Sequence, residues 1–488
     1  CFFHAALEEM DQDLRTKGSC LIARVGDPVK EIPALAKELG VSIVIASRDY
    51  EPKAIERDEK VDRELKRHGI HLLLLKDQVI FEKREILNGS GSPYQVFTAY
   101  KNAWLAKVSS RDYETRGHRL PSLLTRASLN SLIHRWDLET LGFEKQTLWL
   151  EPGEDAARKR LKAFGEKMSE YSKSRDIPSA SGTSGLSAHL RFGTISIRAC
   201  VRAAMEKRSE GAKVWLSELI WRDFYFMILS EFPHVGRGES FRKEYNSIRW
   251  PGKEEHFEAW KEGRTGFPIV DAAMREFQKT GWMHNRLRMV VASFLVKDLL
   301  IDWRKGEEVF AKGLLDFDLA ANNGGWQWST STGCDAQPYF RIFNPFSQSK
   351  RFDPEGTFIR AHVPELARCP SKEIHEPSPL LYGYPAPIVD HSKQRERAIA
   401  LFKKDSNVGY ESMKKWWGVT DVEKLKAMYA DAATLPRKPY PSVEGLKLTM
   451  QTYDSHEMRR HKPEDFFDAR SEEHTSELQS RLHLVCRL

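Results

Sequence analysis

Short apolar runs alternate with helical patterns over the first hundred residues. The runs at 19–25, 42–47 and 70–75 have the length of strands, while residues 30–40 and 53–68 carry apolar positions at helical spacing. Alternation of this kind is typical of a parallel sheet with crossover helices. The pattern therefore predicts an α/β domain at the start of the chain.

Helical spacing dominates from about residue 161 onward, and the stretch before it is polar and interrupted by Pro and Gly. We therefore predict an α/β domain followed by an all-α domain. The predicted ranges are 1–108 for the α/β domain, 109–160 for an interdomain linker, 161–403 for the helical domain and 404–488 for an unassigned extension. The last part of that extension, about 471–488, resembles a translated sequencing-adaptor artefact.

Composition narrows the class of protein. The 488 residues carry a formal net charge of +7, a mild basic excess that suits a polyanionic partner without identifying one. Six scattered cysteines with no CxxC pair indicate reduced thiols and no metal site. The apolar run MVVASFLV is far shorter than the roughly 20 residues that span a bilayer. We expect a cytoplasmic monomer without membrane or metal.

The stretch 281–345 combines features that an ordinary core segment lacks. A helical turn with Asn285, Arg286, Arg288 and Met289 precedes an apolar helix face, and Gly324-Gly325 stands among amides and indoles. Paired glycines allow close backbone approach. A single Trp is more often a packing residue, but the combination favours the wall of a pocket for an aromatic ligand with polar edges.

Two further stretches carry candidate chemistry. Hydroxyl and small residues at 182–187 precede a helical run, which suits phosphate binding at a helix start; an ordinary N-cap is the simpler interpretation of this stretch alone. In VWLSELIWRDFYF (214–226), Glu218 lies between Trp215 and Trp221 on one helix face. Burial beside aromatic rings would raise the pKa of such a carboxyl group, which could then bind a neutral polar ligand.

TGWMHNRLRM, LAANNGGWQW and PYFRIFNP, in this order and spacing, resemble the flavin-binding region of the DNA photolyase/cryptochrome family, specifically its bacterial-type (class I) cyclobutane pyrimidine dimer photolyases. The resemblance extends from about residue 18 to residue 391. It implies a Rossmann-like antenna domain followed by a helical FAD-binding domain. The family's opening strand is absent, so the chain looks N-terminally truncated, and the sheet should expose an edge or a face.

The resemblance implies a set of FAD-binding residues. The diphosphate would be held by Tyr171, Thr183, Ser184, Gly185, Leu186 and Ser187. Trp215 and Arg222 would lie on the flavin side, an ion pair between Arg288 and Asp316 would lie beside the isoalloxazine, and Phe317 and Asp318 would line it. Asn322 would face flavin N5, where its amide favours the anionic reduced flavin.

The resemblance also implies residues for UV-damaged DNA and for electron transfer. Glu218 would bond the pyrimidine dimer, Trp221 would stack on it, and Met289 would pack against it. Asn285 would lie between flavin and lesion, and Arg286 would meet the DNA, with Trp328, Arg341 and Gln348 also on the DNA side. Trp326, Trp303 and Trp250 match the family's tryptophan chain from flavin to surface.

The implied function is light-driven repair, a deoxyribodipyrimidine photo-lyase activity in which excited reduced FAD donates an electron to the dimer. The alternatives are a cryptochrome-like blue-light photoreceptor, against which Asn322 argues, and a light-independent binder of damaged DNA. A second antenna chromophore stays open between deazaflavin, folate and an empty site, because YEPKAIERD (50–58) lacks the Asn-Glu pair of folate-binding relatives.

Overall fold

The computed structural model describes residues 1–115, 123–132, 136–336, 338 and 340–404. The α-helices are α1 Phe2–Thr16, α2 Pro28–Glu38, α3 Pro52–Arg67, α4 Phe97–Lys107, α5 Ser110–Tyr113, α6 Glu154–Lys167, α7 Tyr171–Ser174, α8 Ser187–Phe192, α9 Ile197–Glu206, α10 Glu210–Glu231, α11 Glu254–Glu262, α12 Pro268–Thr280, α13 Asn285–Ser293, α14 Trp303–Gly313, α15 Leu319–Thr330, α16 Pro345–Phe352, α17 Thr357–His362, α18 Pro379–Tyr382 and α19 His391–Lys404. The strands are β1 Ile43–Ser47 and β2 His71–Leu75. Residues 1–398 form one compact unit.

Strands β1 and β2 form a parallel pair in which Ile43 lies opposite His71 and Ser47 opposite Leu75. Their connection is α3, as expected for a crossover. Residues from α2 and α3 cover one face of the sheet, where Val61 and Leu65 are buried. The predicted α/β architecture is therefore confirmed for this part of the chain.

The other face of this sheet carries apolar side chains without a cover. Ile45 is 62% exposed and Leu73 is 46% exposed, although parallel sheets are normally covered on both faces. The resemblance led us to expect an exposed edge or face of this sheet. Its explanation by a missing first strand stays a prediction. The run 19–25, which we predicted as a third strand, is not one, because no described strand lies beside it to supply ladder hydrogen bonds.

The helical part is organised around two apolar clusters. One surrounds α9 and α10 and includes Phe81 from the segment after β2 and Trp104 from α4. The other is built mainly from α11 to α14 and α17. The all-α prediction is confirmed, and none of the described helices is both long and apolar enough to cross a membrane.

A buried carboxylate joins α10 to the segment after β2. Asp223 accepts hydrogen bonds from the backbone N–H groups of Ile80 and Phe81, both at 3.1 Å, and from the indole of Trp104 at 3.0 Å. Burial raises the pKa of Asp223 to about 6. This contact fixes α10, which carries several candidate site residues, against the first hundred residues.

Candidate functional site

A cavity of about 460 Å³ lies between α8, α10, α13 and α15. Most of the predicted site residues line it. Those that do are Ser187, Glu218, Trp221, Arg222, Asn285, Arg286, Arg288, Met289, Asp316, Phe317, Asp318, Asn322, Trp326 and Trp328.

Helix α10 contributes Glu218 to the lining of the cavity. Ser209 caps the start of this helix by accepting a hydrogen bond from the N–H of Ala212. Glu218 Oε1 accepts a hydrogen bond from Arg175 Nη1 at 2.8 Å, and the two side chains are 30% and 22% exposed. The carboxylate is therefore ion-paired and partly exposed, and our prediction that it is buried between indoles is wrong.

Trp221 and Arg222 connect the cavity to the first hundred residues. The Trp221 ring stacks on Phe97 with centroids 3.6 Å apart and planes 8° from parallel. Arg222 donates a hydrogen bond to the carbonyl of Gln78 and lies over the ring of Phe226. Both side chains are held by packing before any ligand binds, which preorganises this wall of the cavity.

Helix α13 supplies the opposite wall. His284 caps it, because its ring nitrogen accepts a hydrogen bond from the N–H of Arg286 at 3.2 Å. Asn285 is exposed at the first helical position. Arg286 is held by Asp176 at 2.9 Å and its guanidinium lies 4.5 Å from the ring centroid of Phe352. Asn285 and Arg286 thus form a polar rim at the mouth.

The ion pair that the resemblance implies between Arg288 and Asp316 is present. Arg288 Nη2 lies 2.8 Å and 3.0 Å from the two carboxylate oxygens of Asp316, and Arg288 Nε donates to the carbonyl of Met283. The Asp316 side chain is only 3% exposed. Asp318 follows as the N-cap of α15, where it accepts from the N–H of Ala321 at 3.1 Å.

The paired glycines of α15 have different surroundings. A Cβ on Gly324 would lie 2.2 Å from the ring of Tyr225, so glycine allows α15 to approach α10 closely. A Cβ on Gly325 would meet no atom within 4 Å, although Gly325 lines the cavity. Asn322, on the same helix, donates from its amide to the carbonyl of Glu307 at 3.2 Å.

Two of the three tryptophans of the predicted chain are buried, and the third is partly exposed. Trp326 and Trp303 are buried, at 2% and 0% exposure, while Trp250 is partly buried against the same apolar cluster. Helix α14, which begins at Trp303, passes directly over the Trp326 ring at Gly306. The indole N–H groups of Trp303 and Trp326 have no hydrogen-bond partner among the described residues.

Some predicted site residues lie outside the cavity. Trp215 packs on Phe164 with ring centroids 4.9 Å apart, and Tyr171 is buried in the same cluster. Thr183 and Ser184 line a second cavity, described below. The other residues that do not line the main cavity are Gly185, Leu186, Trp250, Trp303, Arg341 and Gln348.

Sequence reasoning missed Arg175 and Asp176, which hold Glu218 and Arg286. Although burial disfavours its charged form, Glu218, Tyr171 and Asp176 raise the pKa of Arg175. Both missed residues lie in YSKSRDIPSASGTSGLS, which we had considered only for phosphate binding. A charged Arg-Asp pair between Tyr171 and the hydroxyl cluster was the available signal.

The cavity fits the edge and face of a flavin ring. Arg288 and Asp316 offer a fixed pattern of donors and acceptors, and the open space over Gly325 lets a flat ring lie against the backbone of α15. By contrast, the described residues contain no group of three His, Cys, Asp or Glu side chains placed to bind a metal ion.

Comparison with known families agrees with this arrangement. The family described as "DNA photolyase" matches residues 1–122, and the family described as "FAD binding domain of DNA photolyase" matches residues 215–404. A deoxyribodipyrimidine photo-lyase of Synechococcus is 42% identical over 417 residues, which are 82% of this chain and 86% of that protein. The chain belongs to the DNA photolyase family.

Solved photolyase structures share the fold. A bacterial class III photolyase from Agrobacterium tumefaciens has a TM-score of 0.71 and 33% identity, over 83% of this chain and 88% of that one. An archaeal photolyase from Sulfolobus tokodaii, solved with two FAD molecules, has a TM-score of 0.68 and 34% identity over the same shares of the two chains. The photolyase architecture of the α/β and helical parts therefore covers most of the chain.

Proposed function

We propose that this protein is a deoxyribodipyrimidine photo-lyase that repairs cyclobutane pyrimidine dimers in DNA under light. The observation that carries the proposal is that one cavity brings together two chemically distinct groups of side chains. An ion pair with a buried carboxylate and an amide suit a flavin, while Glu218 and Asn285 suit a polar base edge. We call the parts of the cavity formed by these two groups the flavin end and the lesion end. FAD, when bound in its reduced form, supplies the electron that opens the dimer.

At the flavin end, the protein holds the cofactor and sets its charge. Arg288 is kept in place by Asp316 and can therefore present its remaining N–H groups to the ring. The Asn322 amide can donate or accept a hydrogen bond without releasing a proton, which favours the anionic reduced flavin. Arg222 brings a positive charge to the side where we expect the diphosphate.

At the lesion end, the protein recognises two linked neighbouring pyrimidines of one strand that have left the DNA helix. A damaged pair is cheaper to extrude than an intact one, which contributes to selectivity. Trp221 offers a flat face for stacking, Met289 an adaptable apolar contact, and Glu218 an acceptor for base N–H groups. Arg286 stands at the mouth, where it can meet a backbone phosphate.

We assign Trp326, Trp303 and Trp250 to electron transfer between the flavin and the surface. A buried indole N–H without a partner costs free energy that an apolar aromatic side chain would avoid. Packing alone therefore does not explain Trp303 and Trp326. Indoles are among the side chains that are easiest to oxidise, which suits them to carry a hole.

We further propose that the protein acts as a cytoplasmic monomer. The five described cysteines, Cys1, Cys20, Cys200, Cys334 and Cys369, are all free thiols, as is usual in a reducing compartment. A second, light-harvesting chromophore, if the protein binds one, would be a deazaflavin, a folate or a further flavin. The Sulfolobus photolyase solved with two FAD molecules is a precedent in a relative. The cryptochrome alternative is less supported, because the curated relative reported above is a repair enzyme.

The test is the loss of thymine dimers from a UV-irradiated oligonucleotide under blue light. Photoreduced protein should repair dimers in light, and the same sample kept in the dark should repair none. Bound, photoreducible flavin without repair would favour a photoreceptor instead. Binding of damaged DNA by a colourless protein would favour a light-independent damage binder.

A further inference from the structure

A second cavity of about 460 Å³ lies along α6, and we name it the α6 groove. Its walls come from one face of α6, from the loop before α8, and from the segment before α6. The lining residues are Trp149, Glu151, Ala156, Lys159, Arg160, Ala163, Phe164, Lys167, Thr183 and Ser184.

The α6 groove is cationic. Lys159 and Lys167 are exposed and Arg160 is half-buried, against a single carboxylate from Glu151. Within the described residues none of these three cations forms an ion pair, whereas Arg158 on the same helix pairs with Glu154 and Asp155. Lys167 does donate a hydrogen bond to the carbonyl of Ser181, but a neutral carbonyl does not cancel its charge. Three cations without a paired carboxylate along one helix face attract an anion.

The loop that closes the groove adds hydrogen-bonding groups. Gly185 has a φ of +62°, and a Cβ there would lie 2.6 Å from Arg160 Nη1, so glycine lets the guanidinium approach the loop. Thr183 and Ser184, which carry hydroxyl groups, line the same groove. Cations together with hydroxyl donors match the oxygens of a phosphate group.

Contacts between aromatic rings connect the groove to the mouth of the main cavity. Trp149 donates to the carbonyl of Thr280 at 2.8 Å, and its ring lies 5.6 Å from that of Trp282. Trp282 in turn lies edge-on to His284, which caps the helix that carries Asn285 and Arg286. Trp282 lies three positions before Asn285 in the sequence, so these contacts link the groove to the rim where we expect DNA.

We propose that the α6 groove binds backbone phosphates of the DNA strand beside the extruded lesion. The flavin diphosphate is the other source of the same chemistry, since Thr183 and Ser184 were predicted to hold it. The exposure of Lys159 and Lys167 favours an external polyanion over an enclosed cofactor. Trp149, 44% exposed at the edge, offers a ring on which an unpaired base can stack.

This proposal rests on the proposed function, and its test separates the two. Holoprotein would be titrated in the dark with a duplex that contains one thymine dimer, and with the undamaged duplex, at several salt concentrations. The variants are Lys159→Gln, Lys167→Gln and their double. Lys162→Gln is the matched control, because Lys162 is exposed on α6 but lies outside the groove.

Each groove substitution should reduce the slope of log Kobs against log salt by about 0.9, and the double by about 1.8. Lys162→Gln should leave the slope unchanged, and flavin content and repair per absorbed photon at saturating DNA should stay at wild-type values in all variants. Equal slopes for groove and control variants would overturn the proposal. Loss of flavin from the groove variants with unchanged slopes would also overturn it and assign the groove to the diphosphate.

Failure of the proposed function has a different signature. Wild-type protein would then show no repair in light, whatever its preference between damaged and undamaged duplexes. A reduced salt slope in the groove variants alone would, in that case, still support a phosphate-binding groove.

Discussion

The main cavity contains two Arg-carboxylate pairs whose carboxylates differ in burial, while their arginines are exposed to a similar degree. At the inner end, Asp316 is 3% exposed and accepts both of its hydrogen bonds from one nitrogen of Arg288. At the rim, Glu218 and Arg175 are 30% and 22% exposed and share a single hydrogen bond of 2.8 Å. The same kind of ion pair thus has a buried carboxylate in one place and a partly exposed carboxylate in the other.

This difference indicates two roles. A buried pair cannot exchange partners without leaving a charge in a low-dielectric site, so it fixes geometry. A partly exposed pair contributes little to stability and can release its carboxylate to a ligand at small cost. We infer that the inner pair positions the flavin, whereas the rim pair keeps Glu218 in place until a lesion replaces Arg175 as its partner.

The largest expected effect is at the inner end. Asp316→Asn leaves Arg288 without its counter-charge, and because Arg288 is itself a quarter exposed we expect a loss near the lower end for a broken buried pair, about 3 kcal/mol. Urea unfolding of the apoprotein measures this, and flavin absorbance should show loss of FAD. Unfolding at the wild-type urea midpoint with full flavin content would contradict the role of the pair.

A smaller effect should follow from the titration of Glu307, which lies behind the inner wall. Its carboxylate accepts from Asn323 at 2.8 Å, its backbone carbonyl accepts from Asn322, and burial raises its pKa to about 7. Since the folded pKa lies above the unfolded value of about 4.5, the protonated form stabilises the fold below pH 4.5. That contribution is lost as the pH rises through 7.

Glu307→Gln should therefore flatten the pH dependence of stability. We expect its free energy of unfolding to exceed that of wild type by an amount of the order of 1–2 kcal/mol at pH 8 and to approach it at pH 4. Glu308→Gln is the matched control, because Glu308 is next to Glu307 on the same helix and is exposed. Parallel pH curves for wild type and Glu307→Gln would show that this carboxyl group is not the one that titrates.

The adjacent glycines of α15 should give opposite results. Gly324→Ala places a Cβ against the ring of Tyr225 and should destabilise the protein by about 1 kcal/mol or more through overpacking. Gly325→Ala meets no protein atom and should stabilise the apoprotein by up to about 1 kcal/mol through helix propensity. If the flavin lies over α15, Gly325→Ala should nevertheless lose FAD. Full FAD binding in Gly325→Ala would place the ring elsewhere.

Much of this arrangement could be predicted from sequence because it is local. Helical spacing places Asn285, Arg288 and Met289 on adjoining faces of one helix, and Asp318 one turn before Asn322, whatever the rest of the chain does. Spacing alone does not place a residue along the helix axis. Trp215 shares a face with Arg222, but seven residues rise about 10 Å, so Trp215 reaches Phe164 and misses the cavity.

Contacts between distant segments could not be predicted in this way. Arg175 and Glu218 are 43 positions apart, and Asp223 meets Ile80 across 143 positions. The run 19–25 has the composition of a strand, but a strand forms only beside a partner, and the described residues supply none. Tertiary packing decides such cases, and it cannot be inferred from the pattern of residues in a single sequence.

The smallest effect on stability, and the most informative for function, is expected at the rim. Glu218→Gln keeps the shape of the side chain and loses the ion pair with Arg175, which at this exposure contributes no more than about 0.5–1 kcal/mol. Unfolding and flavin content should therefore stay close to wild type. Repair per absorbed photon should fall several-fold, because a neutral amide is a weaker acceptor for the dimer N–H groups than a carboxylate.

Arg175→Gln shows whether Glu218 acts on the lesion or only through its ion pair. If Glu218 acts on the lesion itself, Arg175→Gln should retain more repair than Glu218→Gln. If the rim needs only the ion pair, both variants should lose repair equally, and the assignment of Glu218 to the lesion would be wrong.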